Sequence, residues 1–138
     1  MTERMLNILL VEDDEVDVMN VRRAFERNRI LNPLYVASDG IQALEMLRGD
    51  GMPGDRRIVL LDLNMPRMNG IEFLREIRSD PQLRLLPVIV LTTSNDERDR
   101  IDAYNLNVAG YLLKPVTFVN FVELMATLNK YWSLVELP

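Results

Sequence analysis

The 138-residue sequence contains no cysteine and no histidine. The first absence excludes disulfides and thiolate nucleophiles. The second removes the commonest metal ligand and the usual general base, so zinc sites and Ser/His/Asp triads are excluded together. Positive charge is scarce: 16 Lys and Arg stand against 21 Asp and Glu, giving a net charge of −5 and a pI of about 4.8. Nucleic acid, whose binding needs a basic face, is therefore not an expected partner. No apolar run approaches the roughly 20 residues of a membrane span, and the opening MTERML lacks the apolar stretch of a signal peptide. The chain reads as cytoplasmic, with no membrane partner.

What is present is 48% hydrophobic residues, enough for one core in one domain over residues 1–138. Short apolar runs recur at Ile8–Val11, Leu34–Ala37, Ile58–Leu61, Val88–Leu91 and Tyr111–Leu113. They predict strands buried on both faces. Helical spacing fills the intervals: Val18, Val21 and Phe25; Ile41, Leu44 and Leu47; Ile71, Leu74 and Ile77; and, after the last strand, Phe118, Val122 and Met125. Ile101 and Tyr104 mark a weaker, more exposed helix. Asn32-Pro33, Ser38-Asp39-Gly40 and the Gly49–Gly54 stretch supply the turns, the last being the likeliest to flex. Right-handed crossovers make this alternation an open α/β fold, a parallel sheet with helices on both faces.

In such a sheet, functional groups gather beyond the carboxyl ends of the strands. The first strand runs into Glu12 and Asp13 within "NILLVEDDEVDVMN", the third into Asp62, the fourth into Thr92-Thr93-Ser94 and the fifth into Lys114-Pro115. The second ends blandly at Ala37-Ser38, which suits a strand to one side and the order 2-1-3-4-5. Clustered carboxylates repel one another unless a positive charge sits among them. With no His or Cys the site is all oxygen, which suits Mg²⁺. Mg²⁺ offsets the repulsion among Glu12, Asp13 and Asp62, while Thr92 and Lys114 offer a hydroxyl and a cation for phosphoryl oxygens. Asp62 is the natural nucleophile.

Together, "ILLVEDDE", "VLLDLNMPRMNGIEFLREIR", "PVIVLTTS" and "AGYLLKP" resemble the receiver domain of two-component response regulators, from about Leu6 to Leu128. The resemblance implies a flavodoxin-like (βα)₅ fold with 129–138 as an apolar tail. It makes Asp62 the phosphoacceptor, Glu12 and Asp13 the acidic pair for Mg²⁺, and the backbone carbonyl of Asn64 a further metal ligand. Thr92 becomes the switch hydroxyl, Tyr111 the aromatic that changes rotamer with it, and Lys114 the phosphate-binding lysine. It also favours a cis Lys114–Pro115 bond. "LNKYWSLVELP" and "RSDPQLRLLPVIVLTTS" are similar to stand-alone receivers that partner bacterial phytochrome histidine kinases, some of them homodimers. The expected function is then to accept a phosphoryl group from a histidine kinase, with no output domain in the chain.

Singly, each residue has a plainer reading. Asp14, Glu15 and Asp17 are cap and first-turn residues, Asp62 could cap a turn, and Thr92 could form a loop. Lys114 could be an exposed charge, and Tyr111 a core aromatic. Gly70 points to a positive φ or a close backbone approach. Apolar positions from Phe118 to Leu128 cover an arc of roughly 220°, beyond the ~100° stripe of a one-sided helix. The excess, with Val119, Leu124 and Tyr131, Trp132, Leu134, Val135 and Leu137, either folds back or forms a dimer interface. Three other classes remain. A haloacid dehalogenase-like phosphatase wants an Asp where Asn64 stands, and a flavodoxin-like cofactor binder wants backbone donors where the first-strand carboxylates stand. An unphosphorylated interaction module of the same fold would have no use for the full set.

Overall fold

The computed structural model describes residues 5–137. Residues 1–4, on which the leader reading rests, and Pro138, the end of the expected tail, lie outside them. Five βα units follow in order: β1 (Asn7–Val11), α1 (Glu15–Arg27), β2 (Leu34–Ala37), α2 (Gly40–Arg48), β3 (Arg57–Leu61), α3 (Gly70–Ser79), β4 (Val88–Thr92), α4 (Glu97–Asn105), β5 (Gly110–Leu113) and α5 (Phe118–Leu134). The strands are parallel in the order β2-β1-β3-β4-β5. No helix among the described residues is long and apolar enough to cross a membrane.

Alternation along the strands divides the core in two. Leu9, Val11, Val59, Leu61, Val88 and Val90 face α2 and α3, where Leu44, Leu47, Phe73, Leu74 and Ile77 complete one cluster. Ile8, Leu10, Ile58, Leu60, Ile89 and Leu91 face α1 and α5, meeting Val21, Phe25, Phe121, Met125 and Leu128. The central strands β1, β3 and β4 are buried on both faces, as expected. The edge strands are not: β2 is half-buried except at Ala37, and β5 is half-buried or exposed throughout. Each lacks a neighbour on one side. The exposed helix is α4, with Ile101 52% and Tyr104 51% exposed and only Ala103 buried. Met52, 5% exposed, pins the α2–β3 stretch to the core.

The α5 arc resolves into two parts. Phe121, Met125, Leu128 and Trp132 are buried on one stripe, and Trp132 packs at 6.2 Å against Phe25 of α1. Leu137 returns to the same cluster. Val119, Tyr131 and Leu134 stay exposed. The tail thus folds back through Trp132 and Leu137, and the remaining arc is left on the surface.

Candidate functional site

The ladder that holds the sheet also brings the strand ends together. The Glu12 amide donates to Ala37, that of Asp62 to Val11 and that of Lys114 to Thr92. These bonds carry the β1–β2, β3–β1 and β5–β4 pairings past the last strand residues, so side chains remote in sequence emerge side by side. Glu12, Asp62 and Thr92 are buried, while Asp13 is exposed.

Asp62 is the centre. Its Oδ1 accepts from Thr92 Oγ1 at 2.7 Å and from the Asn64 amide at 3.3 Å; its Oδ2 lies 3.5 Å from Lys114 Nζ. The same ammonium donates to Glu12 Oε1 at 2.5 Å and to Asp17 Oδ2 at 2.8 Å. Carboxylate oxygens of Glu12, Asp13 and Asp62 lie within 4.8 Å of one another. Burial raises the Glu12 carboxyl to about 7; Asp62's charge pushes the same way, against the lowering hydrogen bond from Lys114. Burial alone would lower the Lys114 ammonium, but its hydrogen bonds to Asp17 and Glu12 and the carboxylate charges hold it well above its ordinary value.

This donor set fits a divalent cation. Three carboxylate oxygens close together, with no His or Cys in the sequence, suit a hard oxygen-seeking ion. One ammonium pairs with three carboxylates, those of Glu12, Asp17 and Asp62, and Asp13 adds a fourth beside Glu12 and Asp62. Such a surplus binds a small dication and repels a bare anion.

Tyr111 is half-buried on β5 and donates its hydroxyl to the Ser94 carbonyl at 2.9 Å. The Ser94 amide in turn donates to Thr92 Oγ1 at 3.3 Å. Hydrogen bonds thus link Tyr111 to Thr92 through Ser94. The Lys114–Pro115 bond is trans, and no peptide bond among the described residues is cis; the family likeness had favoured cis, but nothing in the strand end departs from the ordinary preference for trans. Gly70 has no positive φ. It permits a close approach, since a Cβ there would fall 2.7 Å from the Leu63 Cα.

Asp14 caps α1, accepting from the Val16 amide at 2.8 Å. Asp17, assigned the same capping role, instead reaches Lys114. The signal was available: Asp17 stands one helical turn before Val21, at the upper end of the stripe that α1 buries. Asp39 was read only as a turn residue. It is 3% exposed, caps α2 and pairs with Arg67. Burial would raise its carboxyl, yet the Gln42 amide and Arg67 hold it below the usual range.

Comparisons with known proteins give the chain a family. Residues 8–126 match the family "response regulator receiver domain". Among curated proteins, a probable methanogenesis regulatory protein of Methanothrix harundinacea, FilR2, is 39% identical, over 91% of this chain and 82% of its own. Response regulator Rcp1 of Synechocystis sp. is 36% identical, over 95% and 92%; its Mn²⁺-bound crystal structure superposes with a TM-score of 0.84. The phosphorylated cyanobacterial phytochrome response regulator RcpA superposes with a TM-score of 0.88 at 32% identity, over 98% of this chain and 99% of that one.

Proposed function

Because the chain belongs to the response regulator receiver family, with its phosphoacceptor role in two-component signalling, we propose that Asp62 is the carboxylate that takes the phosphoryl group. Residues 1–138 include no histidine, and the donor in this reading is the phosphohistidine of a histidine kinase. An Asp62 oxygen attacks phosphorus, the P–N bond breaks with its electron pair returning to the imidazole, and an acyl phosphate forms. The observation that carries this is the convergence on Asp62 of Thr92 at 2.7 Å, Lys114 at 3.5 Å and the Glu12–Asp13 pair.

Glu12, Asp13, Asp62 and the Asn64 carbonyl would hold Mg²⁺, which supplies charge neutralisation around the transferring oxygens. Lys114 already bridges Glu12, Asp17 and Asp62, which keeps an ammonium poised for phosphoryl oxygens. Thr92 turns its hydroxyl toward the same group, and Tyr111 changes rotamer with it, altering a face for protein contact. Only self-phosphorylation and self-dephosphorylation are expected, not turnover of a substrate.

RcpA, a phytochrome response regulator, supports the narrower reading that the kinase is a phytochrome, in a cytoplasmic phosphorelay. The whole of 1–138 serves as one receiver, with 6–128 the working part. The exposed Val119, Tyr131 and Leu134 on α5 favour a homodimer through that helix, and sedimentation showing monomer at every concentration would end that part. Labelling by a phosphohistidine kinase or a small phosphodonor with Mg²⁺ tests the main assignment. Asp62→Asn should abolish it; undiminished labelling refutes it.

A further inference from the structure

The loop leading from β3 to α3 makes contacts with the turn ahead of α2 that phosphoryl chemistry does not require. Arg67 sits in this loop at φ 63°, a left-handed conformation that side chains other than Asn and Asp seldom adopt. Its guanidinium donates to Oδ2 of buried Asp39, through Nε at 2.6 Å and also through Nη2. The other oxygen of that carboxylate accepts from the Gln42 amide at 2.9 Å and so caps α2. The Gly40 amide donates to the Met68 carbonyl at 3.3 Å. Met68 lies so close that a Cβ on Gly40 would fall 2.7 Å from its Cγ.

The pair is one-sided: the Arg67 side chain is 60% exposed and that of Asp39 4% exposed, so the buried carboxylate depends on the guanidinium. Steadying that carboxylate does not by itself call for an arginine held in a left-handed conformation. Strain of this kind collects where a conformation is held for function. The ends of the loop are already secured, at Asp62 by the ladder and at Asn69 by its capping box with Glu72. Between these ends the Asn64 amide reaches Asp62 Oδ1 at 3.3 Å, and the stretch that follows is tied across to α2 by Arg67 and the Met68 carbonyl.

We infer that Asp39 and Arg67 form a latch that positions the Asn64 segment beside the carboxylate cluster, coupling the start of α2 to the cation pocket. Both are positioning residues, and the inference rests on the metal site proposed above.

Arg67→Gly removes the tie and the backbone strain together, so the loss of the Asp39 cation is partly offset and the variant stays folded without denaturant. Binding of Mn²⁺ followed by its paramagnetic resonance should weaken about tenfold, at the lower end of effects seen for groups that orient metal ligands. The urea midpoint should fall modestly, because the buried Asp39 loses its partner. Arg67→Lys should recover part of the affinity, and Gly40→Ala, which displaces Met68 without touching charge, should weaken Mn²⁺ as well. Hydrogen exchange of amides 64–68 should quicken in Arg67→Gly even without metal. Wild-type Mn²⁺ affinity within twofold, together with unchanged exchange, would overturn the latch. No Mn²⁺ binding by the unaltered protein would overturn the metal reading itself and the latch with it.

Discussion

Replacing Arg78 by Met tests how the most exposed helix is held to the domain. The guanidinium, at the end of α3, donates to four main-chain carbonyls: Leu106 at 2.7 Å, Leu86 at 2.8 Å, Arg84 at 2.9 Å and Asn107 at 3.2 Å. Two of these acceptors follow α4 and two precede β4, so one side chain fastens both. The bonds to Leu106 and Leu86 are partly buried; those to Arg84 and Asn107 are exposed. A hydrogen bond to a charged group contributes about 1.5–3 kcal/mol net, toward the low end where water competes. Counting only the two partly buried bonds gives about 3–4 kcal/mol. Met keeps most of the aliphatic packing and spares the desolvation of a charge, which offsets about 1 kcal/mol. The net loss is about 2–3 kcal/mol, equivalent to a melting temperature lower by roughly 8 °C in a domain of this size. Urea unfolding followed by circular dichroism measures it, with the m-value compared to confirm an unchanged two-state transition. Lys at the same position should recover less than half, because one ammonium cannot span four carbonyls. Mn²⁺ affinity should stay within twofold, since Arg78 touches nothing in the carboxylate cluster. A loss below 1 kcal/mol would refute the account and leave α4 held by other means.

Two further outcomes follow from the site and the tail. Glu12 is raised from 4.5 to about 7 in the folded chain, so the folded state binds the extra proton more tightly; the associated stability is present below about pH 4.5 and is lost as pH rises through 7. Without metal, the wild-type urea midpoint should therefore fall between pH 5 and 8 more than that of Glu12→Gln, and equal slopes would contradict the buried, charge-crowded carboxyl; Mn²⁺ affinity should run the other way, rising with pH as Glu12 ionises. Trp132→Ala empties a 5%-exposed site beside Phe25 and should cost about 3 kcal/mol in urea unfolding. A cost under 1 kcal/mol would mean that the tail does not pack where α5 ends.

The strands were legible because a parallel sheet buries its central strands on both faces, and Ile8–Val11, Ile58–Leu61 and Val88–Leu91 carry that demand as unbroken apolar runs. The edge strands carry the same kind of run, so exposure at β2 and β5 could not be read from composition. Glu12, Asp13, Asp62, Thr92 and Lys114 were legible for a related reason: each is the first polar residue, or nearly so, after a strand that must end in one crevice. Asp17 and Asp39 were not picked out. Both stand in helix-start patterns where a carboxylate is ordinarily a cap, and Asp39 is a cap; its second oxygen, on Arg67, is a contact no local pattern encodes. Arg78 was passed over because an arginine late in an amphipathic helix looks like surface charge.

The sequence by itself determined the sheet, the strand order and the chemistry at the strand ends, because apolar periodicity and residue type act locally and repeat. Only the tertiary structure decided which partners those polar groups take: Lys114 among three carboxylates, Arg67 on Asp39, Arg78 across two loops, and Trp132 turned inward while Leu134 faces out. A hydrogen bond depends on ångström-scale placement of atoms that are far apart along the chain, and that placement exists only once the helices have packed on the sheet.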